Sequence, residues 1–411
     1  MLAAEVNNDR TILDYLNEDC WRAVLQYVPV QDLIRTERAS RQWQAVLLTY
    51  LRGIHITIVE RGEVHHNTLK LTLSEDTIES FEIWTQKLGS SVVDTYCNSL
   101  ESLAIIKENC PNINALKLQF SESPAPEQLL PFNLRENFKF VQQVYFSCYN
   151  ISDPCVSEFL ADRALQELEF YSCHAMTGLC FNTINLSNLK SLVIDYCRIM
   201  EPKYILPVID RLGELTKLKV ATVPYEILEE MQMVLDKMPK LEWLELFDDL
   251  RMSCHTSEPL SRLTRLKHLK ISCQLGDCDV EAVTRNCQEL TTLDLPDCQG
   301  MTSESVEPLC RNLGARLTSL YLGTFYEAED DDVVAIIRGC PQLTLLFIGG
   351  SGSLTPALPA RAAAARRAAS PGRRLTLDLA YTNLTDHCYL EEVKDQYEEM
   401  KTEYEDLTVV L

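Results

Sequence analysis

The stretch that decides the fold runs from Cys287 to Cys298 and reads CQELTTLDLPDC, with its leucines spaced as L-x-x-L-x-L. Copies of this apolar triplet recur, and their ten middle residues are separated by 28, 24, 24, 26, 26, 25, 24, 27 and 26 residues. A short strand with one apolar side buries that side only by stacking on copies of itself, so the repeat predicts a solenoid. The middle residues are Leu116, Val144, Leu168, Leu192, Leu218, Leu244, Leu269, Leu293, Leu320 and Leu346.

Eight of the sixteen cysteines follow the same period. They lie four or five residues after a middle residue, or they close the helical stretch before a triplet; examples are Cys148, Cys173, Cys197, Cys298, Cys110, Cys287 and Cys340. A small, soft side chain packs well in a turn of a stacked array, so we interpret these residues as buried free thiols. A loosely zinc-like group, Cys273 and Cys278 with His268, has a spacing that matches no familiar metal site.

This pattern resembles the cysteine-containing leucine-rich repeat family from Cys110 to Ile348. The resemblance implies an α/β leucine-rich-repeat solenoid with a parallel sheet on its concave face and helices on its convex face. The pattern is weaker in residues 53–109, as expected for terminal repeats that cap an array. We therefore assign residues 53–385 to the solenoid.

The preceding segment, residues 1–52, has a helical period. It contains LNEDCWRAVLQYVPVQDLIRTERASRQWQAVL from Leu16 to Leu47, which predicts three short helices. Asn17 is the expected N-cap of the first helix, Pro29 ends it, and Ser40 caps the third. So small a core leaves apolar side chains uncovered, which indicates a docking site; the alternative is an amino-terminal cap on the solenoid.

This segment resembles an F-box, the motif by which substrate receptors bind the Skp adaptor of cullin-based ubiquitin ligases. Leu16 begins the motif, Val24-Leu25 match its Ile-Phe pair, Tyr27 keeps an aromatic, and Pro29, Asp32-Leu33 and Trp43 match its proline, Asp-Leu and tryptophan. Asn17 replaces a usual proline, and Ala39-Ser40 replace a usual Val-Cys pair. The resemblance implies adaptor contacts by Leu16, Trp21, Val24, Leu25, Pro29, Leu33 and Trp43.

In the family's geometry, the residues that flank each middle leucine face the concavity. Large aromatics there predict partner contacts, and three successive strands also carry basic residues. We expect a protein substrate to bind Lys217, Lys219, Trp243, Phe247, His268, Lys270, Tyr321 and Phe347. All of these except Tyr321 and Phe347 form a predicted basic and aromatic pocket for an acidic or phosphorylated segment of that substrate. Two alternatives stay open: a loop or the C-terminal tail covers the aromatics, or Glu245 and Asp195 pair with the lysines.

The carboxy-terminal part breaks the rhythm. An alanine- and arginine-rich stretch follows Pro359, lacks large apolar residues and predicts a loose helix whose arginines, including Arg361, Arg366 and Arg367, form a solvated face. Leu375, Leu377 and Leu379 predict one last strand. Residues 386–411 carry an apolar stripe at steps of three and four that reaches Leu407, so we predict an acidic amphipathic helix that caps the array; a coiled-coil dimer is the alternative.

Composition limits the function classes. A formal net charge of −22 disfavours binding to nucleic acid or an anionic membrane. The amino terminus has no basic start followed by an apolar run, so we expect a cytoplasmic or nuclear protein with reduced thiols. No sequence motif of a catalytic, metal or cofactor site is present, and we predict none of these.

Together the two resemblances predict a non-catalytic substrate-recognition subunit of a Skp/cullin/F-box ubiquitin ligase. The helical segment would bind the Skp adaptor, and through it the cullin, while the repeats bind the protein target. The main alternative is a leucine-rich-repeat scaffold outside any ligase. A third class, an activator of GTPases, lacks the amino-terminal helical motif.

Overall fold

The computed structural model describes residues 16–28, 32–33, 36, 39–52, 56–59, 70–72, 82, 85–86, 89–120, 126–247, 258–272, 275–385 and 407–410. The chain divides into two compact units. Unit 1 comprises Met1–Leu168 and Thr183–Asn185, and unit 2 comprises Glu169–Asn182 and Leu186–Leu411.

Unit 1 begins with helices and continues with strands that alternate with helices. Its helices are α1 (Glu18–Leu25), α2 (Arg41–Arg52), α3 (Leu100–Asn109), α4 (Pro126–Leu129), α5 (Leu134–Asn137) and α6 (Asp153–Leu160). Its strands are β1 (Ile56–Val59), β2 (Lys70–Thr72), β3 (Val92–Cys97), β4 (Ala115–Leu118) and β5 (Gln143–Phe146). Short 3-10 turns occupy Gly89–Ser91 and Leu130–Phe132.

The first and third of the three predicted amino-terminal helices form where the sequence predicts them, as α1 and α2, and most of the second lies outside the described residues. Oδ1 of Asn17 accepts a hydrogen bond from the backbone N–H of Cys20 at 2.9 Å, and Oγ of Ser40 accepts one from that of Trp43 at 3.0 Å. Each side chain thus satisfies a backbone donor in the first turn of its helix. α1 packs on α2. The predicted end of the first helix at Pro29 lies outside the described residues.

The strands of unit 1 are parallel, but one of them departs from chain order. β1 pairs with β3, which pairs with β4, which pairs with β5. β2 pairs with the other edge of β1, so the strand order is β2-β1-β3-β4-β5. The atypical first repeats expected before Asn109 are therefore present as parallel strands, with a crossover that the periodicity does not reveal.

Unit 2 repeats strand and helix in order. Its strands are β6 (Glu167–Tyr171), which spans the boundary, then β7 (Ser191–Asp195), β8 (Lys217–Ala221), β9 (Trp243–Phe247), β10 (His268–Ile271), β11 (Thr292–Leu295), β12 (Ser319–Leu322), β13 (Leu345–Ile348), β14 (Leu375–Asp378) and β15 (Leu407–Val410). Its helices are α7 (Pro202–Ile205), α8 (Tyr225–Gln232), α9 (Glu258–Ser261), α10 (Asp277–Asn286), α11 (Val306–Leu313), α12 (Asp330–Gly339) and α13 (Leu358–Ala369). Single 3-10 turns lie at Leu179–Asn182, Leu206–Arg211, Leu235–Lys237, Ser303–Ser305 and Asn383–Thr385.

β7 to β15 pair in parallel with their chain neighbours and keep the register of the repeat. Leu218, Leu244 and Leu269 are aligned across three strands, and each is at most 1% exposed. The helices from α9 to α13 stack on one another as a second layer. The core therefore lies between one face of the sheet and the helices, which leaves the other face of the strands for side chains that folding does not require.

Hydrogen bonds between successive repeats explain the threonines before the strands and the buried cysteines. Oγ1 of Thr291 donates to the carbonyl of Lys267 at 3.1 Å, and Oγ1 of Thr318 repeats this toward Thr291 at 3.0 Å. The thiol of Cys287 donates to the carbonyl of Leu260 at 3.4 Å. These cysteines are free thiols that pack between repeats, as predicted.

Two predictions for the carboxy-terminal part are wrong. The alanine- and arginine-rich stretch forms the ordered helix α13, which packs on α12, and Arg366 is fully buried instead of solvated. The amphipathic helix was predicted to reach Leu407, but Leu407–Val410 is a strand that pairs with β14. Residues 386–406, which hold the rest of that prediction, lie outside the described residues. The predicted strand at Leu375 is confirmed as β14.

Candidate functional site

The sequence-predicted substrate residues lie on the exposed face of β8, β9, β10, β12 and β13. Lys217, Trp243 and His268 occupy one row across neighbouring strands, because their Cα positions pair in register. A second row holds Lys219, Glu245, Lys270, Asp294, Tyr321 and Phe347. Alternation along each strand puts both rows on the side opposite the leucines.

Trp243, His268 and Glu245 form the centre of this surface. The rings of Trp243 and His268 stack with centroids 3.6 Å apart and an interplanar angle of 9°. Nε1 of Trp243 donates to Oε1 of Glu245 at 2.9 Å, and Nε2 of His268 lies 3.3 Å from the same oxygen. Trp243 remains 39% exposed, so it offers an oriented apolar surface with its polar atom already satisfied.

The lysines of the site are paired with carboxylates of this chain. Nζ of Lys219 lies 2.8 Å from Oδ2 of Asp195 and 3.8 Å from Oε2 of Glu245. Nζ of Lys270 lies 3.0 Å from Oδ2 of Asp294. The alternative in which Asp195 and Glu245 pair with the lysines is therefore present for Lys219.

Lys217 is held more loosely. Its Nζ lies 3.9 Å from Oε1 of Glu169, and 40% of its side chain is exposed. Three ammonium groups, of Lys217, Lys219 and Lys270, thus face four carboxylates, so the cluster carries a charge of −1 when His268 is neutral. It is a balanced ionic network and not the basic pocket that the lysines alone suggested.

Burial and pairing with neighbouring side chains shift the pKa values of two carboxyl groups in opposite directions. Burial raises the pKa of Glu245, but its contacts with His268 and Trp243 and the charge of Lys219 outweigh burial and hold that pKa below its ordinary value. At Asp294, burial dominates over the Lys270 charge, and the pKa is raised. The ionised form is therefore favoured at Glu245 and disfavoured at Asp294, relative to a free carboxyl group.

Aromatic rings line both sides of this ionic network. Nζ of Lys270 lies 4.6 Å from the ring centroid of Phe247, and Nζ of Lys219 lies 5.5 Å from it. Tyr321 and Phe347 stack at 6.1 Å between centroids, as a separate pair on β12 and β13. Burial and the charge of Asp294 raise the pKa of Tyr321. The eight predicted residues thus form one cluster around Trp243, one aromatic pair, and Lys217 at the margin.

The carboxylates Glu169 and Asp294 were left out of the site predicted from the sequence, and Asp195 and Glu245 were named only in the alternative that pairs them with the lysines. Glu169, Glu245 and Asp294 each directly follow a middle leucine, and Asp195 lies three residues after the middle residue Leu192. Because the whole protein is acidic, these carboxylates did not stand out in the sequence as site residues. The available signal was the alternation of Glu245 and Asp294 with Lys219 and Lys270 along one row, which predicts mutual pairing as readily as an anion site.

The predicted adaptor residues divide by burial. Trp21, Leu25 and Leu33 are buried, and Trp21 packs edge-to-face on Trp43 with centroids 5.8 Å apart. Nε1 of Trp43 donates to Oγ1 of Thr36 at 2.9 Å. These side chains hold the helical segment together. Leu16 is half-buried, and Pro29 lies outside the described residues.

Among the described residues of this segment, Val24 and Tyr27 are the large apolar side chains that are exposed. Val24 is 51% exposed and Tyr27 is 82% exposed. They lie three residues apart, at the end of α1 and in the turn that follows it. Tyr27 was matched to the F-box but not counted among the adaptor contacts, and its position one helical turn after Val24 is the signal that points to it.

The described residues contain neither a metal site nor a membrane-spanning helix. In that part of the chain, no group of three or more His, Cys, Asp or Glu side chains has an arrangement that would hold a metal ion. The zinc-like group cannot be placed there, because Cys273 lies outside the described residues. No helix within the described ranges is long and apolar enough to cross a membrane.

No protein-family model and no curated protein matches the chain. Among solved structures, it is similar to a chain in the crystal structure of the Rad7 and Elc1 complex in yeast, with 15% identity and a TM-score of 0.53. That match covers 96% of this chain and 91% of the other. This likeness is one of fold.

Two further matches are more distant. A chain of the mouse RP105/MD-1 complex matches with 18% identity and a TM-score of 0.42, over 77% of this chain and 63% of the other. A leucine-rich repeat protein from Bacteroides eggerthii matches with 12% identity and a TM-score of 0.30, over 78% and 54%. With the parallel strands and stacked helices described above, the fold is an α/β leucine-rich-repeat solenoid, as predicted.

Proposed function

We propose that this chain is a non-catalytic receptor that binds a protein target on the exposed face of β8 to β13. The observation that carries the proposal is the Trp243 surface, where an exposed aromatic is fixed by a stacked histidine and a hydrogen-bonded carboxylate. Folding of the repeat does not require an oriented aromatic on the open face of a sheet. Rigid, partly exposed aromatics are the side chains that most often dominate protein interfaces.

We further propose that the receptor works in a Skp/cullin/F-box ubiquitin ligase, with Val24 and Tyr27 contacting the Skp-type adaptor. Two observations support this step. The helical segment resembles an F-box, and Val24 and Tyr27, the large apolar side chains that are exposed among its described residues, are three residues apart. The similar fold in the Rad7 and Elc1 complex belongs to a structure that was solved with a second protein. The contribution to ubiquitin transfer would then be proximity, which requires no catalytic side chain from this chain.

The test is co-purification of the full chain with a Skp-type adaptor. A Val24→Asp, Tyr27→Asp double variant is expected to lose the complex, because charges replace exposed apolar contacts. The control carries the same two added charges at exposed positions of α2, as Ala45→Asp and Thr49→Asp, and should retain the complex. Leu25 and Leu33 are unsuitable targets because they are buried, so replacing them would unfold the segment.

The second candidate function is a leucine-rich-repeat scaffold that never enters a ligase. In this alternative, the chain still binds its target through the Trp243 surface but does not bind a Skp-type adaptor. Wild-type protein that captures targets but forms no complex with a Skp-type adaptor would favour it. The same result would reject the ligase assignment and leave target binding intact.

The cytoplasm or the nucleus is the proposed location. The described cysteines are free thiols, which suits a compartment that keeps them reduced. Fractionation of cells that express a tagged full chain tests this proposal, and recovery in a secretory compartment would contradict it.

A further inference from the structure

Two cysteines of successive repeats face each other in unit 2. Cys310 lies on α11, and Cys340 caps the end of α12. Their Sγ atoms are 3.9 Å apart. Cys340 is fully buried and Cys310 is half-buried, so solvent reaches the pair from the Cys310 side.

Two glycines allow this approach. A Cβ atom added to Gly339 would lie 2.6 Å from both Cβ and Sγ of Cys310. One added to Gly314 would lie 2.1 Å from the carbonyl oxygen of Gly339. Any larger residue at either position would force the end of α12 away from α11, so the small residues set the distance between the thiols.

The hydrogen-bond partner of Cys340 differs from that of the corresponding cysteine in another repeat. Cys287 occupies the same helix-closing position as Cys340, and its thiol donates to the carbonyl of Leu260. At Cys340, the thiol instead donates to another thiol. Packing of the repeat explains a buried cysteine at position 340, but it does not require a second, more accessible cysteine against it.

We propose that Cys310 and Cys340 are a redox-active thiol pair that a peroxide converts to a disulfide between successive repeats. The Cys310 thiolate attacks one oxygen of hydrogen peroxide, which gives a sulfenic acid at Cys310 and, after protonation, one water. The Cys340 sulfur then attacks the Cys310 sulfur and expels hydroxide, which leaves as a second water. The two thiols lose two protons and two electrons, and the peroxide is reduced to two waters.

The order of the two steps follows from exposure and electrostatics. The hydrogen bond from Cys340 lowers the pKa of Cys310 and outweighs the opposing effect of burial. The same interaction, together with burial, raises the pKa of Cys340. A thiolate is the reactive form, so Cys310 is the residue that meets the oxidant and Cys340 is the resolving residue. Closing the bond needs the sulfurs to approach from 3.9 Å to about 2.05 Å.

The experiment uses the reduced full chain, treated with hydrogen peroxide, alkylated under denaturing conditions and digested without reductant. Mass spectrometry is expected to find a peptide pair joined through Cys310 and Cys340, with a loss of two hydrogens that reductant reverses. Cys340→Ser should stop at the Cys310 sulfenic acid, trapped by a dimedone-type nucleophile. Cys310→Ser should leave Cys340 reduced.

A matched control is Cys278→Ser, which removes an exposed thiol of α10 and should leave the linked peptide unchanged. The proposal is overturned if Cys340 of the wild-type chain stays fully alkylatable while Cys310 is oxidised. It is also overturned if Cys310 links to a different cysteine. Circular dichroism of each variant confirms that the fold is kept, and the result does not depend on the proposed receptor function.

Discussion

Trp243 and His268 lie on adjacent strands with their rings parallel and 3.6 Å apart, and Glu245 contacts both. This arrangement fixes the indole before any partner arrives. A side chain that is already ordered loses little conformational entropy on binding. The exposed ring is therefore the first residue to test on this surface.

Trp243→Ala is expected to weaken target binding by about 2 kcal/mol, roughly 30-fold, while the midpoint of thermal unfolding changes little. The reason is that the ring is partly exposed and the strand register depends on the leucines behind it. The measurement is the amount of target protein that co-purifies with the tagged full chain, wild type or variant, from the cells that express it. Met233→Ala, which removes another exposed apolar side chain, is the control and should keep recovery. Equal losses in both variants would contradict a specific role.

The lysines should differ in what they contribute to stability. Lys219→Met is expected to lower the free energy of unfolding by about 2 kcal/mol, because it leaves Asp195 and Glu245 without their cation. Lys217→Met should cost less than about 1 kcal/mol, since its ion pair is long and exposed. Urea denaturation of the two variants measures both values. Equal costs would mean that Lys219 is not the organising cation of the cluster.

Lys217 also gives a test of the predicted anionic target. It is the most exposed of the three ammonium groups, so a phosphate or carboxylate of a partner would reach it with the least competition from this chain. If the target is acidic or phosphorylated, Lys217→Glu should reduce its recovery, and phosphatase treatment should reduce recovery by the wild type. Unchanged recovery in both experiments would exclude an anionic segment and favour a target held mainly by apolar contacts.

Acid should weaken the cluster through Glu245. Its pKa in the folded chain lies below the ordinary 4.5, so its ionised form adds stability above that value and loses it as pH falls through the folded pKa. The difference in unfolding free energy between wild type and Glu245→Gln should therefore be constant near neutrality and shrink below about pH 4.5. Glu289→Gln, an exposed neutralising change, is the control. A difference that grows in acid would contradict the assignment.

The features that depend only on the repeat period could be predicted from the sequence. The spacing of Leu244 and Leu269 determines the register, so the strands and the face that holds Trp243 followed directly from it. The ion pairs between side chains on that face could not be derived from the spacing. Lys219 and Asp195 are 24 residues apart, and their 2.8 Å contact depends on rotamers that no spacing specifies.

The F-box motif also does not show which side chains of the amino-terminal segment are buried. Matching an F-box pattern treats Leu25 and Val24 alike, since both are apolar and adjacent. The structure separates them, with Leu25 in the core and Val24 half exposed, because neighbouring residues on a helix point in different directions. A motif therefore identifies the segment, while the contact residues depend on which side of α1 meets α2.

Arg366 gives the clearest disagreement with sequence reasoning and a last prediction. Its guanidinium is fully buried and donates to the carbonyls of Arg373, Pro341 and Leu343 at 3.0, 3.2 and 2.7 Å. An alanine-rich helix has few large apolar side chains, and here a buried arginine bonds α13 to two carbonyls of the preceding repeat. Arg361 adds ion pairs with Asp330 and Asp331 of α12. Arg366→Met removes three charge-assisted hydrogen bonds and should cost about 3 kcal/mol.

Because each repeat contacts only its neighbours, the loss should be local. Amide hydrogen exchange is expected to accelerate in Leu358–Ala369 and Leu375–Asp378 of the Arg366→Met variant and to stay unchanged in Lys217–Ala221. Arg374→Met, an exposed arginine nearby, is the control and should behave as wild type. Unchanged protection in α13 would show that its alanines hold the helix without Arg366, and uniform acceleration would show that unit 2 unfolds as a whole.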